Sequence, residues 1–402
     1  MKVVIIGQGY VGLPLAMAIS AAGHDVLGFD LNVPIVENIN LGMSHVEDVS
    51  NNQLVEVINS GRYRASSDPK DLSLADVALI AVPTPLDDNR RPDLSFVESA
   101  SKILGNNLGK PALIINESTS YPGTLRNVIA PIVSKYSKHE NLFAISPERV
   151  DPGNSKWGIK NTPRLFAGLT PEATKKTSDF YATFCDNIIE VSSPEVAETA
   201  KLFENTFRQV NIALVNELAI ICNKIGISAH EVLDAADSKP YGFMKFLPGI
   251  GVGGHCIPVD PTYLAFAASN VGAQARFIEM ANTVNLSMPK ELVSRIKKDN
   301  EGSIKDKKIV VHGIAYKSNI SDIRESPSLV LISLLREEGA LVSWHDPLVQ
   351  NWSGEKSCTL EPDKFEIGIV AIIHDEMNKT DLKTSSKYLI DCTGKIDGAV
   401  TF

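Results

Sequence analysis

The chain opens on Lys2 to Ile6, a run of mostly β-branched residues with no polar alternation. Such a run predicts a strand covered on both faces of a parallel sheet. Apolar positions then take helical spacing from Leu13 to Ala22, close at Gly23, and return to a strand over Asp25 to Phe29. The βα alternation continues. Ala75 to Val82 reads as a strand ending in Pro83-Thr84-Pro85, and Ala112 to Asn116 as one ending in Glu117-Ser118-Thr119-Ser120. Leu142 to Ile145 leads into Ser146-Pro147-Glu148-Arg149. From Pro194 the pattern changes: Ala197, Ala200, Phe203, Phe207, Val210, Ala213 and Leu214 keep helical spacing, which predicts one long helix over Glu195 to Ile225. Further helices are expected over His230 to Ala236 and about Phe277 to Lys298, and Glu301-Gly302-Ser303 among lysines reads as a linker. Beyond it, strands at Lys308 to Ala315, Leu341 to His345, Ile367 to Ile373 and Lys387 to Asp391, with a helix over Ser328 to Glu338, make a second α/β unit.

The chain has 402 residues, too many for one ordinary core, so two or three domains are expected; the change of pattern at Pro194 and the linker at Glu301 would bound three, 1–193, 194–300 and 301–402. It is 44% hydrophobic and 22% charged, as globular proteins are, with no run of eighteen apolar residues to span a membrane. A net charge of −9 argues against a nucleic-acid partner while leaving room for a local basic pocket. Five scattered cysteines do not suggest a disulfide framework and suit a reducing cytosol. The N-terminus enters a strand directly, without the charged and greasy regions of a signal peptide, so a cytoplasmic protein is expected. No His-x-x-x-His or Cys/His ligand pattern occurs, so no metal is expected.

Between the first strand and the first helix stands Gly7-Gln8-Gly9-Tyr10-Val11-Gly12. A Gly-x-Gly-x-x-Gly alone says little; placed between strand and helix, with Asp30 at the end of the next strand, it specifies a dinucleotide site of the Rossmann kind. Gly7 makes the tight turn, Gly9 admits the pyrophosphate to the helix N-terminus, and Gly12 lets helix and strand pack closely. Asp30 would accept hydrogen bonds from the ribose hydroxyls and repel a 2′-phosphate, which favours NAD over NADP. Thr84, Thr119 and Glu148 follow predicted strand ends, where open α/β sheets bind ligands, although each is also an ordinary cap or turn residue. The second α/β unit has no such glycine signature, so a nucleotide diphosphate suits it better than a second dinucleotide. The fold expected is α/β, two Rossmann-like doubly wound sheets joined by a helical domain built on the long helix.

Pro248-Gly249-Ile250-Gly251-Val252-Gly253-Gly254-His255-Cys256-Ile257-Pro258-Val259-Asp260 sets a cysteine behind a glycine-rich loop and a carboxylate four residues further on. Gly and Pro at this density allow positive φ and close approach of backbone to a ligand, though a Gly-rich turn beside a small packed cysteine is the plainer reading. Lys201, Asn205 and Arg208 share one face of the long helix, which is otherwise an ordinary solvated face. A simple alcohol dehydrogenase without a metal has no use for a nucleophilic cysteine; oxidation of an aldehyde does. The thiolate adds to the carbonyl, oxidation of the adduct gives a thioester, and water releases the acid. A lysine steadies the oxyanion and carboxylates activate water.

In these residues the chain resembles the UDP-glucose/GDP-mannose dehydrogenase family over essentially its whole length. The stretches that carry the resemblance are GQGYVGLPLA (7–16), VPTP (82–85), ESTSYPGT (117–124), SPERVDPG (146–153), AKLFENTFRQVNIALVNE (200–217), GVGGHCIPVDP (251–261), GIAYKSNISDIRESPS (313–328) and DCTGKID (391–397). The resemblance implies a four-electron, two-NAD oxidation of a nucleotide sugar at C6 to the uronic acid. It implies an NAD-binding domain first, a central dimerising domain, a UDP-binding domain last, and a place in surface-polysaccharide precursor synthesis. Carried over by position, Cys256 is the nucleophile, Lys201 the oxyanion partner with Asn205 beside it, and Asp260 the carboxylate acting with lysine and water. Glu148 takes acid/base work and Thr119 holds the reacting water or hydroxyl. Gly7, Gly9, Tyr10, Val11, Gly12, Asp30, Pro83, Thr84, Ser118, Thr119 and Arg324 fall at cofactor positions. Glu148, Arg149, Val150, Lys201, Asn205, Tyr241, Lys245, Gly249, Gly251, Gly253 and Lys317 fall at substrate positions.

His255 before Cys256 and Val259 before Asp260 depart from the glucose-specific pattern. With KPYGF (239–243) and ARFIEMANTVN (275–285) they resemble the branch that handles UDP-N-acetylhexosamines. The expected substrate is UDP-N-acetylglucosamine or UDP-N-acetylmannosamine, with Arg208 and Arg276 as candidates near the acetamido group or a phosphate. The two differ only at C2, and both remain open. The rival readings are UDP-glucose or GDP-mannose oxidation, a catalytically silent nucleotide-sugar-binding homologue, and a two-electron reductase of hydroxy acids, which would have no use for the cysteine loop. A homodimer is expected, with the long helix at its interface.

Overall fold

The computed structural model describes residues 1–151, 154, 156–254 and 256–401; His255 lies outside the described residues. The chain divides into two compact units, Met1–Glu204 with Thr262–Ala273, and Asn205–Pro261 with Gln274–Phe402.

The first unit is built on β1 (Lys2–Ile6), β2 (Asp25–Phe29), β3 (Tyr63–Ser66), β4 (Val77–Ile80), β5 (Leu113–Asn116), β6 (Leu142–Ile145), β7 (Arg164–Gly168) and β8 (Ile188–Glu190). Their order in the sheet is β3-β2-β1-β4-β5-β6-β7-β8. The strands from β3 across to β6 run parallel, and β7 turns antiparallel against β6. The order reverses between β1 and β4, and in open sheets of this kind the crevice beyond those strand ends is where ligands bind. Ile5, Leu79 and Ile115 are fully buried in the hydrophobic core of this unit, as strands with helices over both faces require. The helix Gly12–Ala21 follows β1, one residue off the expected limits. The strand expected over Ala75 to Val82 runs only from Val77 to Ile80: Ala75 closes the preceding helical turn, and the Ser118 hydroxyl takes both the amide and the carbonyl of Val82.

In the second unit β9 (Lys308–His312), β10 (Leu341–His345), β13 (Phe365–Val370), β14 (Ser386–Asp391) and β15 (Val400–Thr401) form a parallel sheet ordered β10-β9-β13-β14-β15. A small hairpin of β11 (Asn351–Trp352) and β12 (Glu355–Lys356) stands apart from it. The strand expected over Lys308 to Ala315 ends at His312, because the amides of Ile314 and Ala315 turn to the carboxylate of Asp346. The strand expected over Ile367 to Ile373 runs instead from Phe365 to Val370. Val311, Ile369, Ile390 and Trp344 form its core.

The long helix is present as Pro194–Ile225 and crosses the division between the units after Glu204. The helix Arg276–Asp299 matches its expected limits to within a residue. The helix Asp260–Asn270 was not expected from the sequence; Pro261 stands in its first turn, where a proline gives up only an amide that has no helical partner. Among the described residues no helix is long and apolar enough to cross a membrane.

The packing of β5 yields a direct test. Ile115→Ala removes a fully buried side chain from the middle of the larger sheet, and should cost about 2–5 kcal/mol of stability in denaturant unfolding.

Candidate functional site

The turn after β1 is fixed by contact with the rest of its own unit. Gly7 has φ +93°, and a Cβ there would stand 2.4 Å from the carbonyl oxygen of Ala81. A Cβ on Gly12 would lie 1.8 Å from the carbonyl oxygen of Gly7. At Gly9 a Cβ would meet nothing within 4 Å, so packing inside the chain does not call for glycine at that position. What glycine does there is leave the backbone bare at the mouth of the helix Gly12–Ala21, as the approach of a pyrophosphate requires. Asp30 stands at the end of β2 with its carboxylate held by the amides of Gln8, at 2.8 Å, and Asn32, at 2.9 Å. The cradle therefore fits a dinucleotide. Tyr10 and Val11 border the same turn, Tyr10 on the surface and Val11 half-buried.

Two residues under this turn were not singled out in the sequence. Gln8 is wholly buried, donates to the carbonyls of Ile5 and Gly7, and accepts from the Tyr63 hydroxyl at 2.7 Å. Burial, with the Asp30 charge nearby, pushes the Tyr63 hydroxyl well above its usual pKa, so it remains a donor. Gly28 of β2 makes room for them, since a Cβ there would stand 2.4 Å from Gln8 Oε1. Gly28 lies in a strand buried on both faces, and only the folded chain shows what it meets there.

The loop after β5 is pinned by side chains on both sides of Thr119. Glu117 is fully buried and paired with Arg164, and the Tyr181 hydroxyl also donates to it. Burial pushes the Glu117 carboxyl up, with Arg164 and Tyr181 acting in the opposite direction. Ser118, expected at the cofactor, spends its hydroxyl on the backbone of Val82 and so ties the ends of β4 and β5 together. Thr119 is left half-exposed between buried Ser118 and Ser120. On the adjoining strand end Thr84 is buried and Pro83 exposed. The Glu148 amide donates to the Glu117 carbonyl at 3.2 Å, and its carboxylate accepts from the amide of Val150. Arg149 is engaged within the unit, with two bonds to Glu204 and one, at 2.6 Å, to the carbonyl of Pro163. Lys201 is 7% exposed on the long helix.

In the second unit Asn205, one turn further along that helix, donates to the Asp260 carboxylate at 2.6 Å, and Asp260 is only 1% exposed. Cys256 is exposed, and its carbonyl accepts from the amides of Val259 and Asp260 at 3.2 and 2.9 Å. The cysteine thus sits at the entry to the helix Asp260–Asn270, where the helix dipole favours an anion.

The glycine-rich loop before Cys256 is gripped along its length. Its Gly249 amide donates to buried Asn216, which donates in turn to Asn285. A Cβ on Gly251 would stand 2.8 Å from the Asn285 carbonyl oxygen, and one on Gly253 2.8 Å from that of Glu325. At Gly254 it would strike the ring of Tyr316 at 2.6 Å. Packing accounts for these three glycines, whereas Gly249, like Gly9, has open space where a Cβ would be.

Tyr316 and Glu325 belong to the loop after β9, which also carries Lys317 and Arg324. Lys317 is half-buried. Arg324 clasps the Asp322 carboxylate through its guanidinium and accepts the Gly254 amide on its carbonyl at 3.0 Å. The base of the loop is held by Asp346, fully buried, which takes the amides of Ile314 and Ala315 and the ring of His374. His374 accepts the Asn319 amide on Nδ1 at 2.8 Å, so its proton stands on Nε2 facing Asp346. Burial pushes the Asp346 carboxyl up, but His374 and the two amides outweigh it and hold it below its ordinary value.

The remaining expected substrate residues lie on the surface of the second unit. Lys245 pairs with Asp234, Arg276 donates to Gln274 at 3.0 Å, and Tyr241 lies under the Lys239 ammonium. Arg208 is exposed on the long helix. The expected set is thus divided: Thr119, Glu148 and Lys201 belong to the first unit, Asn205, Cys256 and Asp260 to the second. No group of His, Cys, Asp and Glu suited to a metal ion occurs among the described residues.

Comparison with known proteins matches three family models. They are the NAD binding domain of the UDP-glucose/GDP-mannose dehydrogenase family over residues 1–185, its central domain over 195–287, and its UDP binding domain over 310–398. The chain is 35% identical to the UDP-N-acetyl-D-glucosamine 6-dehydrogenase of Pseudomonas aeruginosa over 357 residues, 87% of this chain and 83% of that one. It is 36% identical to the UDP-N-acetyl-D-mannosamine dehydrogenase of Campylobacter jejuni over 355 residues, 84% of each chain. Its fold matches the structure of UDP-D-ManNAc dehydrogenase from Pyrococcus horikoshii with TM-score 0.88 at 29% identity, covering 100% of this chain and 98% of that one.

The Asp346 knot predicts a pH-dependent loss. A carboxyl held below its unfolded value adds stability above that value and loses it as pH falls through the folded one. Asp346→Asn should therefore cost about 1–3 kcal/mol in urea unfolding at pH 7. The gap between variant and parent should narrow as the pH is taken below 3.8, the ordinary value for this group.

Proposed function

Because the chain belongs to the UDP-glucose/GDP-mannose dehydrogenase family and is an NAD-dependent nucleotide-sugar dehydrogenase, we propose that it oxidises a UDP-N-acetylhexosamine at C6 to the uronic acid through a cysteine adduct. The observation that carries this reading is the Cys256 segment. An exposed thiol stands at a helix entry, four residues from a buried carboxylate that is fixed by Asn205. A two-electron alcohol oxidation needs no such thiol.

NAD, when bound, supplies the hydride acceptor for both oxidations; the bare backbone at Gly9 and the oriented Asp30 carboxylate are the features that suit it. In the first oxidation the C6 hydroxyl passes its proton to the Glu148 carboxylate while Lys201 steadies the alkoxide and Thr119 holds the hydroxyl. The Cys256 thiolate then adds to the aldehyde carbonyl, forming a C–S bond and an oxyanion that Lys201 and Asn205 stabilise. Oxidation of this thiohemiacetal gives the thioester. Water, activated by Asp260 and Glu148, adds to the thioester carbonyl, and breaking the C–S bond returns the thiolate and releases the acid. The buried Asn205–Asp260 contact supports this assignment, since it leaves Asp260 a fixed orientation.

The N-acetylhexosamine preference rests on the His255-Cys256 and Val259-Asp260 pairs and on relatives that carry gluco and manno names at nearly equal identity. Those relatives leave the configuration at C2 open. The proposal keeps the division into an NAD-binding part (1–193), a central part (194–300) and a UDP-binding part (301–402), in line with the spans of the family models. It includes a homodimer: Phe207, Leu214, Ile221 and Ile225 are exposed and recur at seven and four residues along the long helix, a stripe suited to a second copy. Five free cysteines fit a reducing cytosol.

Turnover of purified protein on UDP-GlcNAc, UDP-ManNAc and UDP-glucose, followed by NADH formation, should give two NADH per sugar on an N-acetylhexosamine; preference for UDP-glucose overturns the substrate. Cys256→Ser should abolish acid formation, lowering the rate by at least about a thousandfold. Unchanged acid production by that variant would remove the thiol from the mechanism.

A further inference from the structure

Glu198 lies on the first turns of the long helix, three residues before Lys201, with only 1% of its surface exposed. A carboxylate in that position needs partners, and among the described residues those it has belong to the segment after β5. Oε1 accepts from the Ser120 hydroxyl at 3.1 Å and the Leu125 amide at 3.0 Å, and Oε2 from the Gly123 amide at 2.6 Å. The loop's other end is tied to its strand by Asn116, which donates to the Ser118 carbonyl at 3.0 Å and the Ser120 hydroxyl at 3.3 Å. Between these anchors Thr119 is the one half-exposed residue of the run Asn116 to Ser120.

We infer that Glu198 is a positioning residue that clamps the Thr119 loop onto the helix carrying Lys201, so that hydroxyl and amine share one rigid frame. The inference rests on the roles proposed above for Thr119 and Lys201. Its physical content is directional: both carboxylate oxygens face donors, so the clamp works only while the group at 198 accepts on both sides. A glutamine has nearly the same shape but turns an N–H toward one of those donors, which pushes the loop away and leaves a buried polar mismatch. Misplacing a reacting hydroxyl by an ångström is enough to cost one or two orders of magnitude in rate. Burial pushes the Glu198 carboxyl up to about 7, with the Leu125 and Gly123 amides and the Ser120 hydroxyl opposing it.

The test is a double-mutant cycle of Glu198→Gln and Thr119→Ala, read as kcat at saturating NAD and sugar nucleotide for folded, active-site-titrated enzyme. Glu198→Gln should lower kcat at least about tenfold while the KM for NAD moves by less than about twofold. In the Thr119→Ala background the same change should cost less than about twofold, because the hydroxyl it positions is already gone. Equal losses in both backgrounds, or a loss in melting temperature with kcat unchanged, overturn the inference and leave the proposed function standing. If Thr119→Ala by itself costs nothing, the role given to Thr119 falls, and this inference with it. Should Glu198→Gln fail to fold, Ser120→Ala removes one of the three donors and is expected to show a smaller loss with the same dependence on Thr119; independence of Thr119 refutes the clamp.

Discussion

Backbone amides just beyond the carboxyl end of a parallel strand have lost their ladder partners, and in this protein buried or half-buried carboxylates take them. Asp30 accepts from Gln8 and Asn32, Asp346 from Ile314 and Ala315, and Asp391 from Lys395 and Ile396. Glu198 does the same for Gly123 and Leu125 from a helix. An unpaired buried amide costs about 1–3 kcal/mol, and hydrogen bonds to a charged acceptor are roughly twice as strong as neutral ones. The loops so held are those an open α/β sheet offers to ligands. The same carboxylates therefore stabilise the fold and give the binding loops one shape.

Glycine serves two different purposes in these loops. Gly7, Gly12, Gly251, Gly253 and Gly254 are hemmed in, and any side chain would collide with backbone or with the Tyr316 ring. Gly9 and Gly249 have open space in front of them. The first group is demanded by the chain's own packing; at the second, packing makes no such demand. In a motif such as Gly7-x-Gly9-x-x-Gly12 the middle glycine therefore speaks for a ligand, while the outer two speak for the turn.

The polar core of the first unit shows how the loops after β5 and β6 are kept in place from beneath. Glu117, Arg164 and Tyr181 form a closed buried cluster at the end of β5, with the Arg164 guanidinium over the Tyr181 ring at 5.0 Å. Removing one member of a buried pair strands the other, which is why such clusters tolerate little change. Their effect reaches Thr119 and Glu148 through the backbone, since Glu117 stands two residues before Thr119 and its carbonyl accepts the Glu148 amide.

Much of this architecture was legible in the chain. Unbroken apolar runs located β1, β2, β4, β5 and β6, because a strand covered on both faces can carry no polar alternation, but not β3, β7 or β8, and helical spacing located Pro194–Ile225 and Arg276–Asp299 almost to the residue. The glycine-rich stretches at Gly7 and Gly249 marked loops of special backbone shape, since positive φ and close backbone approach restrict which residues can stand there. What the chain could not reveal is partnership across long separations. That Tyr63 braces Gln8, that Asp346 ends β9 early, and that Glu198 takes the amides of a loop some seventy residues before it all depend on which elements the fold brings side by side. Local pattern records the preferences of neighbouring residues; a hydrogen bond between distant ones is settled only when burial removes water as the alternative partner.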